Sequence, residues 1–344
     1  MAGSPRMFLV ALILVVLAAI MAPSSATRGL IRLPLDDDHM CGDRPVIGIL
    51  THPGSGTKKH VEGATSHIGA SYVKLVESAG ARVIPLLYDD PREDFYQNLK
   101  LVNGVIFTGG SETDPGQYSD RIFDTLQYVM DRKEDGDPIP LLAICLGFQI
   151  VSTIVAQDKY ILTKFDATNQ PSTLQFPVHS LIKGSVFDSF EQEFIDKLKK
   201  NPLAMQNHQY GISPDKWERK KQLTKFFNVL TTSVDREDKE YVSTVQAKDY
   251  PIIGTQWHPE KVFEWGQAVS LEHDKAPHSE DAVRLSEHFA KYFISQARKS
   301  ANRTSDCKDR EDKVRPKLVD NYLSKFGQSN YFDKVYIFPN LQEA

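Results

Sequence analysis

Cys145 is the residue of this chain whose surroundings best suit a nucleophile. It follows the apolar residues 141–144 and precedes a second apolar segment, Leu146 to Ile150, so a buried strand is predicted to turn sharply into a helix at the sulfur. The N-terminal amides and the dipole of that helix would favour the thiolate over the thiol. The alternative is a buried structural cysteine, because an unpaired cysteine packs as a small apolar residue.

A thiolate nucleophile needs a proton-transfer partner and a group that orients this partner. His258 and Glu260 are two residues apart, and residues at that spacing on an extended chain face the same side. We therefore predict that Glu260 holds the His258 imidazole in one tautomer, and that His258 activates Cys145 and later protonates the leaving amine. The alternative is a strand that Pro259 ends, with incidental polar residues after it.

Backbone amides near the nucleophile could stabilise the oxyanion of a tetrahedral intermediate. The N–H of Leu146 is one predicted donor, and the N–H groups of Gly109 and Gly110, after another apolar segment, are the others. All of these lie where parallel strands are expected to end, which is where open α/β sheets bind ligands. His208, in a polar segment, either lines the same site or is a loop histidine with satisfied hydrogen bonds.

The sequence predicts neither a metal ion nor a cofactor. The other histidines lack the HExxH spacing and no cysteines are paired as metal ligands usually are. Residues 54–58 contain glycine and lysine but lack the GxxxxGK[ST] spacing of a phosphate-binding loop.

Composition favours a globular protein that acts on a small molecule. The 344 residues are 41% hydrophobic and 25% charged, which argues against a disordered, collagen-like or multi-span membrane protein. Lys and Arg number 41 against 45 Asp and Glu, so no overall basic field would attract nucleic acid. Three cysteines are too few for a disulfide scaffold in a chain of this length.

The first 26 residues have the pattern of a secretory signal peptide. Arg6 precedes an unbroken apolar run from Met7 to Ala22, and small residues follow up to a predicted cleavage site near Ala26. The run is shorter than the roughly 20 residues that span a bilayer, so we expect no membrane anchor after cleavage. In the secretory route Asn302 of the Asn-Arg-Thr sequon is a candidate for glycosylation.

Short apolar runs alternate with amphipathic segments, which predicts a doubly wound α/β fold. Continuous apolar strands separated by helices indicate a mostly parallel sheet covered on both faces. A charged turn between two apolar segments near residue 235 predicts an antiparallel hairpin at the sheet edge. The predicted strands are 45–50, 82–87, 104–107, 140–144, 227–234, 241–246 and 252–257, and the predicted helices are 68–79, 94–100, 120–132 and 279–298.

We divide the chain into the signal peptide 1–26, an extension 27–44, a catalytic domain 45–298 and a tail 299–344. The tail is densely charged to residue 319 and is expected to be exposed there. Its aromatic residues, from Tyr322 to Phe338, are expected to dock on the domain. Because chain termini are often close in space, Cys41 and Cys307 are candidates for a disulfide.

Five segments together resemble the class I glutamine amidotransferase-like superfamily, with its flavodoxin-like sandwich, and within it the γ-glutamyl hydrolases. The resemblance covers about residues 44–298. It is carried by residues 71–74 with 77–83, residues 107–111, the Cys-Leu-Gly-Phe-Gln of residues 145–149, residues 226–232 and the Gln-Trp-His-Pro-Glu-Lys of residues 256–261. Two departures from the family pattern are Ala143, where many members have Gly, and Gln149, where γ-glutamyl hydrolases usually have Glu.

The resemblance implies a cysteine peptidase that cleaves the γ-glutamyl tails of folate polyglutamates through a thioester. It implies that Cys145 is the nucleophile, His258 its base and Glu260 the third member. It places Gly110, His208 and Gln149 near the substrate. It also implies a homodimer and a vacuolar, lysosomal or extracellular (cell wall) location.

Three alternatives remain at this point. A glutamine amidotransferase would use the same glutamyl pocket and pass ammonia to a synthetase partner. A non-catalytic binding protein on the same fold would be expected to lack the nucleophile or the base, and this sequence has both. A hydrolase of other γ-glutamyl peptides would share the whole mechanism.

Overall fold

The computed structural model describes residues 44–57, 61–111, 115–177, 182–266, 275–300, 307–327, 329 and 332–339. The predicted signal peptide, Cys41 and the Asn302 sequon lie outside these residues, and only the backbone of Cys307 is described. The signal peptide, the glycosylation and the disulfide therefore stay predictions.

The centre of the fold is a seven-stranded sheet. Its strands are β1 Val46–Leu50, β4 Arg82–Leu86, β5 Gly104–Phe107, β6 Leu141–Ile144, β9 Phe227–Val234, β10 Glu240–Ala247 and β11 Ile252–Thr255. Their spatial order is β4-β1-β5-β6-β11-β10-β9. The first five strands in this order are parallel to one another, and β10 pairs antiparallel with both β11 and β9. This confirms the predicted mostly parallel sheet and its edge hairpin.

Alternation along the strands divides the core into two layers. Leu142 and Ile144 of β6 pack on one face of the sheet, and Leu141 and Ala143 pack on the other. The helices are α1 Ala70–Ser78, α2 Arg92–Leu99, α3 Pro115–Glu134, α4 Leu146–Ala156, α5 Gln192–Lys200, α6 Pro214–Arg219, α7 Lys221–Phe226, α8 Glu280–Lys299 and α9 Cys307–Val314. Helices α1 and α8 cover the first face, and α2, α3 and α4 cover the second.

A second sheet corrects the prediction for the segment before α1. We expected a loop and then a helix from Ile68, but Ala64–Gly69 is a strand, β3, and α1 begins at Ala70. β3 pairs with β13, Lys334–Pro339, near the end of the chain, and with the short β2, His52–Pro53; β12, Leu323–Phe326, completes the sheet. No local pattern shows a partner this distant in sequence. A third sheet, β7 Thr163–Ser172 with β8 Ala204–Gly211, was not predicted.

The tail packs against the domain through both polar and apolar residues. Phe332 and Phe338 are buried, whereas Phe326 is exposed. Arg310, in the stretch that we expected to be exposed, is 1% exposed and donates hydrogen bonds to the Leu101 carbonyl and to Asn103 Oδ1. A buried guanidinium satisfied by carbonyl oxygens corrects that expectation.

None of the described helices combines the length and the apolar character that crossing a membrane requires.

Candidate active site

Cys145 lies in the sharp turn between β6 and α4. Its backbone has φ 49° and ψ −104°, a conformation that costs a non-glycine residue on the order of 1–3 kcal/mol. Its N–H donates to the Thr255 carbonyl of the neighbouring strand at 2.7 Å. A Cβ at Gly147 would lie 2.6 Å from Phe107 Cβ and 2.9 Å from its carbonyl oxygen, so only glycine fits there. The strained turn is therefore fixed on both sides of the sulfur, as in a nucleophile elbow.

His258 and Glu260 form a buried pair beside this turn. His258 Nδ1 lies 2.6 Å from Glu260 Oε1, and the carboxylate is fully buried. The expected extended segment through Glu260 is wrong, because β11 ends at Thr255 and Pro259–Phe263 is a 3-10 helix. Proline suits the first position of such a turn, since its φ is fixed and its missing N–H is not needed there. The turn nevertheless brings the carboxylate to the imidazole.

The charges at this pair favour the imidazolium form of His258. Burial by itself would lower the pKa of His258, but the Glu260 carboxylate and then the Cys145 thiolate outweigh burial and raise the pKa to about 10. Burial by itself would raise the pKa of Glu260, and the charge of His258 with its hydrogen bond lowers it instead. The arrangement therefore favours the charged forms of both His258 and Glu260.

The side chains of Cys145 and His258 both approach Gly109. A Cβ at Gly109 would lie 2.6 Å from His258 Cε1, 3.0 Å from Tyr72 Oη and 3.2 Å from Cys145 Cβ. His258 Nε2 is buried and has no hydrogen-bond partner among the described residues. Glycine is therefore required at position 109, because the side chains of His258, Tyr72 and Cys145 border the space that a Cβ would take.

The structure corrects the expectation for one oxyanion donor. The Gly109 N–H donates to Tyr72 Oη at 2.9 Å, so it is already used. The N–H groups of Leu146 and Gly110 donate to no protein acceptor in the described parts of the chain. These two amides therefore remain the candidate oxyanion donors. Burial, then the charges of Glu260 and Cys145, raise the pKa of Tyr72 well above its usual value, so its hydroxyl stays protonated.

A cleft of about 720 Å³ opens onto the sulfur and the imidazole. Among its described lining residues, Lys261 is the only lysine or arginine, and it lies over the Phe332 ring. One contiguous group of lining residues is His52, His67, Tyr72, Lys261 and Phe332. A second is Gln149, His208 and Tyr210.

The family model described as Peptidase C26 matches residues 45–260, more than half of the chain. The chain belongs to the peptidase C26 family. Gamma-glutamyl hydrolase 2 of Arabidopsis thaliana is 44% identical over 93% of this chain and 91% of its own length. Gamma-glutamyl hydrolase of Homo sapiens is 33% identical over 86% of this chain and 90% of its own length. A solved glutamine amidotransferase of Thermotoga maritima is 15% identical, with a TM-score of 0.38 over 75% of this chain and 96% of its own.

Two further predicted residues of this C26 peptidase line the cleft. His208 Nδ1 lies 2.9 Å from the Tyr210 carbonyl oxygen, and burial, then the charge of His258, lower the pKa of His208 to about 3. A neutral imidazole is therefore expected at this position. Gln149 Nε2 donates to the Tyr210 carbonyl at 2.7 Å and to Gln256 Oε1 at 3.3 Å. The roles of both residues toward substrate stay predictions.

Two residues that contact this machinery were not assigned a role from the sequence. Tyr72 belongs to the buried face of α1, where a helix pattern predicts only packing. Gln256 Nε2 lies 3.7 Å from Cys145 Sγ, although its place at a strand end suggested no more than a neighbour of His258. Within the described residues there is no group of three or more His, Cys, Asp or Glu side chains that could hold a metal ion.

Proposed function

We propose that this C26 peptidase hydrolyses the γ-glutamyl amide bonds of folate polyglutamates through a glutamyl thioester. The observation that carries the proposal is the buried Cys145, His258 and Glu260 arrangement at the base of an open cleft. The two relatives are named gamma-glutamyl hydrolases, and the match extends over most of their length. This supports the γ-glutamyl bond as the one cleaved.

Acylation begins with attack of the Cys145 thiolate on the γ-carbonyl carbon. A C–S bond forms, and the negative charge that develops on the carbonyl oxygen is met by the amides of Leu146 and Gly110. The C–N bond then breaks as the His258 imidazolium gives its proton to the leaving amine. The products of this half-reaction are a thioester of the shortened pteroylglutamyl chain and the released glutamate or γ-glutamyl peptide, which leaves as the amine.

Deacylation uses the same groups in the reverse roles. His258, now neutral, takes a proton from a water molecule that attacks the thioester carbon. The C–O bond forms and the C–S bond breaks, which returns the thiolate and the imidazolium and releases the γ-carboxylic acid, whose remaining proton passes to solvent. Glu260 keeps Nδ1 protonated in both steps, since its carboxylate accepts the hydrogen bond at 2.6 Å.

Pteroylpentaglutamate tests the proposal directly. The purified mature protein is incubated with this substrate, and the products are followed by mass spectrometry against a Cys145→Ala control. We expect shortened pteroylglutamates together with glutamate or short γ-glutamyl peptides, and their lengths define exo or endo cleavage. An intact substrate with wild-type protein and no product above the control would contradict the proposal.

Gln149 supports glutamine amide hydrolysis as the second candidate, because the superfamily's amidotransferases have Gln where γ-glutamyl hydrolases usually have Glu. A γ-glutamyl bond is the glutamine side-chain amide with its nitrogen substituted, so one pocket accepts both. Incubation with glutamine, with ammonia as the readout, and incubation with a γ-glutamyl dipeptide are compared with the pteroylpentaglutamate assay. The relative rates show which of the three substrates the protein prefers. Faster turnover of glutamine in the presence of a synthetase would favour the amidotransferase.

We also propose that the protein enters the secretory route and acts as a glycosylated homodimer in the vacuole, the lysosome or the extracellular space. Residues 1–26 and the Asn302 sequon support the route and the glycan. N-terminal sequencing of the secreted protein tests the cleavage site, and its mass before and after deglycosylation tests the glycan. The mass shift on reduction tests the Cys41–Cys307 disulfide. Light scattering tests the dimer.

A further inference from the structure

Two glutamine side chains form a chain of hydrogen bonds that ends on the nucleophile. Gln149, on α4, donates from Nε2 to Gln256 Oε1 at 3.3 Å, and Gln256 Nε2 lies 3.7 Å from Cys145 Sγ. Gln256 is fully buried and Gln149 is 7% exposed, so bulk water has little access to these bonds. A hydrogen bond to sulfur is longer than one to oxygen, and at 3.7 Å the Gln256 NH₂ group is within hydrogen-bond reach of Sγ.

The direction of this chain is fixed by a backbone carbonyl. The Tyr210 carbonyl oxygen can only accept a hydrogen bond, and one terminal atom of the Gln149 side-chain amide lies 2.7 Å from it. That atom must therefore be the nitrogen, Nε2, which carries the two N–H donors. The second proton of the same NH₂ group points to Gln256, so the atom of Gln256 that receives it is Oε1. The Gln256 NH₂ group is then left facing the sulfur.

We propose that Gln256 is a catalytic residue that donates a hydrogen bond to the Cys145 thiolate, and that Gln149 is the positioning residue that fixes the direction of the Gln256 amide. The inference deepens the proposed function and rests on Cys145 as the nucleophile. A donated hydrogen bond stabilises the thiolate over the thiol, since the bond is stronger to a charged acceptor. The direction matters because a reversed amide would present its oxygen to the sulfur.

Glutamate at position 149, the residue usual in the family that this chain resembles, would reverse the direction. An ionised carboxylate would repel the Tyr210 carbonyl. A protonated one would donate its single proton to that carbonyl and offer only an oxygen to Gln256. In either form Gln256 has to turn its NH₂ group toward position 149 and its oxygen toward the sulfur. Gln149→Glu therefore removes the donor while keeping the size of the side chain.

Other titratable groups also face the sulfur and set a background that the variants leave in place. His258 and Glu260 act on it from the segment after β11, and Tyr72 acts from α1. His208, on β8, lines the same cleft and is neutral. Substitution of Gln149 or Gln256 by Met leaves these charged groups in place, whereas Gln149→Glu can add a carboxylate near the sulfur, so the Met variants separate the loss of the donor from an added charge.

The rate of Cys145 alkylation by iodoacetamide across pH 3–9 tests the inference without any glutamyl substrate. The variants are Gln149→Glu, Gln149→Met, Gln256→Met and the double variant Gln149→Glu with Gln256→Met, each checked for folding by thermal melting. Gln246→Met is the matched control, because Gln246 bonds Val186 and Gly184 on another part of the fold. Cys145→Ala corrects for the other cysteines.

We expect each single variant at 149 or 256 to lower the alkylation rate on the acidic side of the profile by about tenfold or more, with its midpoint moved to higher pH. The double variant should match Gln256→Met, because Gln149 acts through Gln256. Gln246→Met should keep the wild-type profile. If Gln149→Glu does not fold, Gln149→Met decides the same point.

Unchanged midpoints in the folded variants would overturn the donor role of Gln256. Additive effects in the double variant would overturn the positioning role of Gln149. Because iodoacetamide reports the sulfur alone, these outcomes are independent of whether pteroylpentaglutamate is cleaved, and a failure of the proposed function is recognised separately.

Discussion

Gly109→Ala is a steric test of the catalytic geometry, since the new Cβ would enter the point where the active-site side chains meet. The Cβ would lie 2.6 Å from His258 Cε1, whereas carbon atoms pack at about 3.5 Å or more. The ring must therefore move by about 0.9 Å, or the end of β5 must move by as much. Gly109 is not among the residues with positive φ, so alanine adds no backbone strain and the effect is steric.

The His258 ring has little room for that displacement. Its Nδ1 is held at 2.6 Å by the fully buried Glu260, so a shift of the ring stretches a charged hydrogen bond. A displacement near 1 Å of a reacting group costs about a hundredfold in rate. Overpacking of a filled site costs about 1–3 kcal/mol of stability. We therefore expect kcat/KM to fall about a hundredfold and the free energy of unfolding to fall by that amount.

The assay is initial-rate hydrolysis of pteroylpentaglutamate, with iodoacetamide alkylation and chemical denaturation on the same preparations. Gly211→Ala is the matched control, because Gly211 lies near the same cleft, yet its Cβ would meet its nearest atoms at 3.3–3.6 Å. It should keep kcat/KM within about threefold of wild type, since the Phe165 ring has to give by only about a few tenths of an ångström. Wild-type activity and stability in Gly109→Ala would refute the close approach of His258 to this glycine.

Three further substitutions test the charges and the buried groups. Cys145→Ala should abolish hydrolysis, keep the fold and lower the pKa of His258 measured by NMR, because the thiolate is one of the charges that raise it. Glu260→Gln should lower kcat by about 10²–10⁴-fold, since the imidazole loses its orienting carboxylate. The raised pKa of His258 contributes stability that is complete below 6.5 and lost as the pH rises through about 10, and the lowered pKa of Glu260 contributes stability above 4.5 that is lost as the pH falls. Denaturation should thus show the largest difference from Glu260→Gln between pH 4.5 and 6.5. Arg310→Ala should lower the free energy of unfolding by about 2 kcal/mol or more, because two buried acceptors lose their donor.

Each of these outcomes has a result that contradicts it. Turnover in Cys145→Ala would remove the assigned nucleophile, and an unchanged His258 titration there would mean that the thiolate does not act on the imidazole. Equal pH profiles of stability in wild type and Glu260→Gln would argue against a charged pair. For Arg310, the exposed Lys313 of the same helix is the control; Lys313→Ala should change stability by less than about 0.5 kcal/mol.

Local sequence patterns determined the elements and the type of chemistry. The β6 strand and α4 helix on either side of Cys145 follow from two apolar segments with a turn between them, and the β9–β10 hairpin follows from its charged turn. Both signals lie within a few residues, where side-chain period and turn residues act directly on the backbone. The cysteine, histidine and glutamate could be proposed together because each stands at such a boundary.

Contacts between distant segments decided the rest. The pairing of β3 with the tail strand β13 joins residues more than 260 positions apart, and it changed a predicted loop and helix start into a strand. Tyr72 Oη accepts the Gly109 N–H, and Gln149 joins the Tyr210 carbonyl to Gln256, which lies 3.7 Å from the sulfur; no local pattern predicted these contacts. The sequence by itself therefore determined the strand–turn–helix framework and the reactive residue types, because these depend on neighbours along the chain. Only the tertiary structure decided which backbone amides are free, in which direction each side-chain hydrogen bond runs and which charges share a buried space. These features depend on residues that are distant in sequence and meet only in the folded protein.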